Sequence, residues 1–372
     1  MKKRVLVIYT WDPQRPSFGG VKTIVEAYFY NRYIFEQKGY ELALFNYNPT
    51  SDGKLGKVGN VIYGIRQRIA LGRHLKKEKY DIVHIHTSRE FLFLKDILLA
   101  RFINEKFGLL VAITIHVGKA ETVFNRIGFF RKKLLIMMNQ HIAKSIFLLK
   151  EARKEFISLG VQKEATAVLY NFHDLIPRIT EFPNKQLALN RPINLLYMGA
   201  IHREKGVIDL LKGLQLLDDK LYHLDVFGVI KDEGCRSEFE NLLSTMPSVV
   251  MHGLVSGEKK TSYYCSADVL VLPSYHEGMP MVILEALSAG CAIISTKVGA
   301  TPEILTDKNA YWIDIQLPVQ IRQGVEYFIL HKDKLESMMH DNFELAKSYT
   351  LDSHIQSLCE IYESILTNNI NS

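Results

Sequence analysis

Two carboxylates, Glu277 and Glu285, flank the stretch of this chain best suited to receiving an anion. A short apolar run, Val269 to Leu272, stops at Pro273 and predicts a buried strand. A polar turn follows, with Glu277-Gly278 and Met279-Pro280. Strong helix formers then run from Pro280 to Ala289, with Met281, Leu284, Leu287 and Ser288 at one-face spacing. Pro280 suits a first helical turn, where its missing N–H costs nothing, and Gly290 suits the stop. Cys291 to Ser295 predicts the next strand. Such a strand–loop–helix–strand unit builds a parallel sheet and sets a helix N-terminus at its carboxyl edge, where free N–H groups and the dipole favour a diphosphate. Gly278, Met279, Pro280 and Met281 are the backbone at that point. On the plain alternative, Glu277 caps the helix and Glu285 is solvated. Leu284, Ala286 and Leu287 bracket Glu285, however, and a carboxylate in an apolar helix needs a hydrogen-bonding role.

The segment 277–305, EGMPMVILEALSAGCAIISTKVGATPEIL, resembles the Glu-x7-Glu signature of the retaining glycosyltransferases grouped as family 4. The likeness includes Gly-x-Pro after the first Glu, the small-Gly pair after the helix and the Gly-Ala-x-Pro-Glu run. It implies an α/β protein of the GT-B fold, two Rossmann-like doubly wound domains facing each other across a cleft. It also implies that Glu277 lies against the donor sugar and that Glu285 hydrogen-bonds the nucleotide ribose.

The same family likeness extends to other positions. Lys205-Gly206 opens a predicted helix, where a cation opposes the dipole and needs another reason to be present. The resemblance makes Lys205 a clamp on the donor diphosphate. The family's Arg position holds Ala200 here, so either Arg203, three residues on, substitutes for it or the clamp is weakened. Gly19-Gly20, between a first strand at Val5 to Tyr9 and a helix from about Val21, corresponds to a loop beside the donor phosphates. Gly228, after the strand Tyr222 to Phe227, and His252-Gly253, within Ser248 to Val255, correspond to the surroundings of the base. Gly228-Val229-Ile230 replaces the commoner Gly-x-Gly, so UDP, GDP and ADP sugars stay open.

His116 ends the apolar run Leu109 to His116, at the sheet edge where clefts form in α/β proteins, and imidazole can donate to a sugar hydroxyl at neutral pH. The resemblance places this His against the transferred sugar. Glu277, His116 and Lys205 are thus the residues expected to act on the reaction itself. His84 and His86 alternate on the strand Asp81 to Ser88, so both rings share a face. No third ligand of metal-binding type stands near. We assign His84 to packing and His86 to lining the cleft.

A chain of 372 residues, 47% hydrophobic and 23% charged, fits two ordinary globular domains. We place them at 1–172, binding the acceptor, and 193–345, binding the nucleotide sugar, with a linker at 173–192 and a last helix, 351–367, packing back on the first. The segment Ser51 to Gly64 predicts an exposed loop, and VLYNF, Val168 to Phe172, a closing strand. Four scattered cysteines, without Cys-x2-Cys spacing, predict buried thiols in a reducing cytoplasm. Without an Asp-x-Asp pair at a strand end, no metal or other cofactor is expected.

The net charge of +6 conceals an asymmetry. Residues 1–180 hold 30 Lys+Arg against 15 Asp+Glu, a balance of +15, whereas the remainder is acidic. A basic half implies a polyanionic partner. Within 123–150, Phe129 and Phe130 run straight into Arg131, Lys132 and Lys133, and a helix there would suit an anionic membrane surface. Nucleic acid is not expected, since no recognition motif accompanies the cations. No apolar run reaches the roughly 20 residues that span a bilayer. These features predict a hexosyltransferase, cytoplasmic and peripheral to the inner face of the membrane, acting on a lipid-linked or glycan acceptor in bacterial surface polysaccharide or glycolipid synthesis. A non-catalytic partner subunit and a nucleotide-sugar 2-epimerase are the alternatives.

Overall fold

The computed structural model describes residues 2–9, 20–47, 57–87, 90–116, 131–173, 181–183 and 191–370. The chain divides into two compact units, one of Met1–Asn171 with Leu351–Ser372 and one of Phe172–Thr350.

In unit 1 the elements run β1 (Lys3–Tyr9), α1 (Gly20–Tyr30), α2 (Arg32–Gln37), β2 (Tyr40–Asn46), α3 (Lys57–Lys77), β3 (Ile82–Thr87), α4 (Glu90–Phe107), β4 (Leu110–Ile115), α5 (Arg131–His141), β5 (Lys144–Phe147), α6 (Lys150–Ser158) and β6 (Thr166–Val168). The strands form one parallel sheet in the order β2-β1-β3-β4-β5-β6. Helices on both faces explain why Val5 to Ile8 and Ile82 to Thr87 are buried throughout instead of alternating. Burial of every β3 side chain carries His84 and His86 into the core.

Unit 2 continues with β7 (Ile193–Met198), α7 (Val207–Leu214), β8 (Tyr222–Phe227), α8 (Glu233–Ser244), β9 (Val249–Gly253), α9 (Gly257–Ser266), β10 (Val269–Leu272), α10 (Met281–Ser288), β11 (Ala292–Thr296), α11 (Thr301–Ile304), β12 (Tyr311–Ile313), α12 (Pro318–Leu330) and α13 (Lys332–Ala346). Its parallel sheet has the order β12-β11-β10-β7-β8-β9. Strand order therefore reverses between β7 and β10, the topological switch point where the loops beyond the carboxyl ends diverge and leave room for a ligand. Beneath it Leu195, Tyr197, Val269, Val271, Ala292 and Ile294 form the buried centre of the core.

The last helix, α14 (Leu351–Ile370), belongs to unit 1. It buries Ile355, Leu358 and Tyr362 there, and Tyr40 donates to Glu363 at 3.0 Å and to the carbonyl of Cys359 at 3.3 Å.

Three local expectations change. Lys57 to Gly64 are helical and form the first turns of α3 instead of a loop. The closing strand is Thr166–Val168 rather than Val168 to Phe172. Residues 131–150 are not one helix: Ala143 bonds to Val111, and β5 then joins the sheet.

Candidate functional site

The loops after β7 and β10 meet at the switch point, and three contacts fix them. Lys205, in a 3-10 turn at Arg203–Lys205, donates from Nζ to Glu277 Oε1 at 2.7 Å. Ser274 Oγ donates to the same oxygen at 2.7 Å, and the Tyr275 amide donates to the Glu204 carbonyl at 2.8 Å. Gly206 makes the approach possible. Its φ is +68°, and a Cβ there would lie 2.0 Å from the Pro273 carbonyl oxygen. The Glu277 side chain is 9% exposed and that of Lys205 34%, so the cation reaches out while its carboxylate is held. Lys205, a poor residue for a helix start, thus has its partner across the switch point.

From Glu277 the chain enters α10 through Gly278, the buried Met279 and Pro280, which takes the cap position, with Met281 as first helical residue. This loop rests on the Val298-Gly299-Ala300 turn. Ala300 donates to the Gly278 carbonyl at 2.8 Å, and a Cβ on Gly299 would lie 2.3 Å from the Glu277 carbonyl oxygen. Contact of backbone on backbone is therefore the local purpose of the Gly-Ala-x-Pro-Glu run.

Glu285 is 2% exposed, which rules out a solvated role. Lys260 on α9 donates to its Oε1, and Tyr264 donates to Oε2 at 2.7 Å. A buried carboxylate is tolerated only with such partners. Sequence reasoning missed both. The signal was present, since Lys260 and Tyr264 are four apart and so share one face of a helix.

The ends of β7, β8 and β9 converge beside the switch point. The Gly199 amide donates to the Phe227 carbonyl at 2.9 Å, and the Gly228 amide to the Gly253 carbonyl at 2.8 Å. His252 stacks on Phe227 with centroids 4.6 Å apart, and Tyr263 packs against both rings. His252 Nε2 lies 2.5 Å from Asp225 Oδ1. Gly228, His252 and Gly253 thus come together, around an aromatic block whose carboxylate neighbour the sequence did not suggest.

Arg203 has a different partner from Lys205. Its guanidinium bonds Glu238 on α8 at 2.5 Å, and Lys212 bonds the same carboxylate at 2.7 Å. The pair holds the arginine against α8, not against Glu277.

In unit 1, His116 follows β4, and its Nε2 lies 3.2 Å from His86 Nδ1. His84 is fully buried between Tyr362 OH and Thr114 Oγ1, each at 2.7 Å, in accord with packing. His86 is 4% exposed, so it is a core residue rather than a lining one. His354 bonds Tyr28 OH at 2.5 Å and the Tyr170 carbonyl at 2.6 Å. Burial, ahead of repulsion among the rings, lowers these imidazoles: His84 to about 3, His116 and His354 to about 4. All three are neutral at pH 7. Gly20 is the first residue of α1, whereas Gly19 lies outside the described residues, as do Phe129 and Phe130. Arg131, Lys132 and Lys133 form the exposed first turn of α5. Leu134, Met137 and Met138, by contrast, are buried and unavailable to a membrane. No helix among the described residues is long and apolar enough to cross one.

Residues 192–329 match the family described as glycosyl transferases group 1. An uncharacterised 41.2 kDa protein in the cps region of Klebsiella pneumoniae is 26% identical over 242 residues, covering 63% of this chain and 64% of that protein, just under two thirds of its length. The Escherichia coli UDP-Gal:alpha-D-GlcNAc-diphosphoundecaprenol alpha-1,3-galactosyltransferase is 24% identical over 329 residues, 83% of this chain and 82% of that one. Among solved structures, Anabaena HepE in complex with UDP superposes with a TM-score of 0.73 at 14% identity, over 97% of this chain and 100% of that one. That likeness concerns the fold alone. The region 192–329 thus resembles the glycosyl transferases group 1, and the fold of the chain is GT-B.

Proposed function

We propose that this protein transfers a hexosyl group, with retention of configuration, from a nucleotide-diphosphate sugar to a lipid-linked acceptor in surface polysaccharide or glycolipid synthesis, at the inner face of the membrane. One observation carries the proposal: Lys205 is held 2.7 Å from Glu277 at the switch point, beside the N-terminus of α10. A cation and free N–H groups at one point suit a departing diphosphate, whose negative charge grows as the bond to the sugar breaks. The acceptor oxygen then bonds to the anomeric carbon as the bond to the diphosphate breaks, and its proton passes to the leaving phosphate oxygen. This course needs no separate base. Glu277 holds Lys205 and faces the sugar, Glu285 anchors the ribose side, and His116 meets a sugar hydroxyl. The name of the Escherichia coli relative supports a nucleotide-sugar donor and a diphosphoundecaprenol-linked acceptor.

The test is a thermal-shift screen of UDP, GDP and ADP sugars, followed by transfer to a polyprenyl-diphosphate-linked acceptor and anomeric assignment by NMR. A donor at a hundred times its Kd stabilises the folded state by about 2.7 kcal/mol, a readily measured rise in Tm. Absence of any shift across the donors, or an inverted product, would overturn the proposal.

A further inference from the structure

β3 and β4 lie side by side and parallel, with His86 opposite Thr114 in register. The next residue outward on β3, Thr87, accepts from the His116 amide at 3.3 Å, which brings the two imidazoles together at the carboxyl edge. Their ring centroids are 5.5 Å apart, and His86 Nδ1 faces His116 Nε2 at 3.2 Å. Both rings are neutral at pH 7, since burial lowers His116 to about 4 and His86 well below its ordinary value. A neutral imidazole has one N–H, so a single proton joins these two nitrogens, and it can sit on either ring.

The other nitrogen of His86 decides which. Among the described residues, the buried His86 Nε2 has no hydrogen-bond partner. Two described neighbours of its ring are engaged elsewhere: both nitrogens of His84 go to Tyr362 and Thr114, and the Tyr28 hydroxyl goes to His354. If His86 carried its proton on Nε2, a buried N–H would be orphaned. If it carries the proton on Nδ1, only a lone pair is left unmatched. Orphaned buried N–H groups are the rarer of the two in folded proteins, because desolvating a donor without return is costly. The proton therefore belongs on His86 Nδ1, and His86 donates to the lone pair of His116 Nε2.

We infer that His86 is a positioning residue that fixes His116 as the Nδ1–H tautomer, so that His116 offers an N–H donor, and not an acceptor, to the sugar hydroxyl it meets. Among the described residues Nδ1 of His116 has no partner, and His116 is partly exposed, as a donor awaiting a ligand must be. The role of His116 toward a sugar rests on the function proposed above; the tautomer does not.

The test begins with long-range 1H–15N correlation spectra of 15N-histidine-labelled protein at pH 7, with the His116 signals assigned by their loss in His116→Gln. The Nδ1–H pattern is expected for His116 in the wild type. His86→Asn places an amide N–H where Nδ1 stood and preserves that pattern; His86→Leu removes the donor and shifts His116 toward Nε2–H. Where transfer is measured, kcat falls by about tenfold in His86→Leu and is largely restored in His86→Asn, with the KM for the donor little changed. An Nε2–H pattern in the wild type, or one unchanged by His86→Leu, would overturn the inference. An Nδ1–H pattern in a protein that transfers no sugar would support the tautomer and count against the proposed function instead.

Discussion

Lys260 on α9 and Tyr264, one turn further along the same helix, close on the two oxygens of Glu285 on α10, so the carboxylate lies buried with both oxygens engaged. Removing one member of such a pair leaves a charge stranded in low dielectric. Lys260→Met should therefore destabilise the protein by about 3 kcal/mol, and Glu285→Gln by less, since the amide still accepts from Tyr264. The double variant should recover much of the Lys260→Met loss, because no charge remains buried. Urea unfolding of the four proteins reads the coupling directly. Simple addition of the two losses would show that the pair does not act as a unit.

At the switch point the predictions are kinetic. On the proposed reaction, Lys205→Ala should lower kcat by about a hundredfold or more, since the leaving diphosphate would lose its cation. Glu277→Ala should act on kcat as well, whereas Glu285→Ala should chiefly weaken nucleotide binding. Arg203→Ala should change the kinetics by less than about threefold, because its guanidinium is exposed and engaged by Glu238. With Lys205 carrying the charge, EDTA should leave transfer unaltered. Steady-state kinetics with and without chelator, beside calorimetric titration of the nucleotide, check each outcome. A collapse of activity in Arg203→Ala would mean that the ligand draws that arginine away from α8.

Much of this site was legible because a βα unit is written locally. The strand, the loop, the Pro at the helix start and the Gly at its end lie within 25 consecutive positions, each with its own backbone reason. Lys205 stood out for the same reason, as a cation where the dipole disfavours one. The partners of these residues were not legible. Lys260 meets Glu285 only after α9 packs on α10, and Arg203 finds Glu238 only after α8 folds over the β7 loop. Separation was greatest in unit 1, where His84 bonds Tyr362 across 278 positions because α14 returns to the first sheet. Alternation put His84 and His86 on one face. It could not say that the face is buried.

That histidine core sets an acid limit on stability. In the unfolded chain each imidazole titrates near 6.5, whereas in the fold His84 titrates at about 3 and His116 and His354 at about 4. Between these values the unfolded state binds more protons, so stability is complete above about pH 6.5 and falls as the pH drops toward 4. Each group adds a slope of up to about 1.4 kcal/mol per pH unit in that window. Tm measured across pH 4–8 should therefore drop steeply below about pH 6. In His354→Gln the slope should be shallower by one such increment. A flat profile over this range would mean that the imidazoles are accessible to protons in the folded state.

The last prediction concerns the basic surface of the first unit. Residues 1–180 have a balance of +15, and Arg131, Lys132 and Lys133 stand exposed together at the start of α5. The apolar side of that helix, Leu134, Leu135, Met137 and Met138, is spent on the core, so attraction through these described residues would be largely electrostatic. Each cation near an anionic leaflet contributes roughly 1 kcal/mol, enough for reversible binding when three act together. Such binding must weaken with salt, as the Debye length shrinks from about 10 Å at 0.1 M to about 3 Å at 1 M. The protein should float with phosphatidylglycerol vesicles at low salt, less so at 1 M salt and hardly at all with phosphatidylcholine alone. Changing Arg131, Lys132 and Lys133 to Ser should remove most of the floating fraction without altering nucleotide affinity. Equal flotation on neutral vesicles would give the binding to apolar insertion, and a triple variant that floats like the wild type would place the contact elsewhere on the basic half.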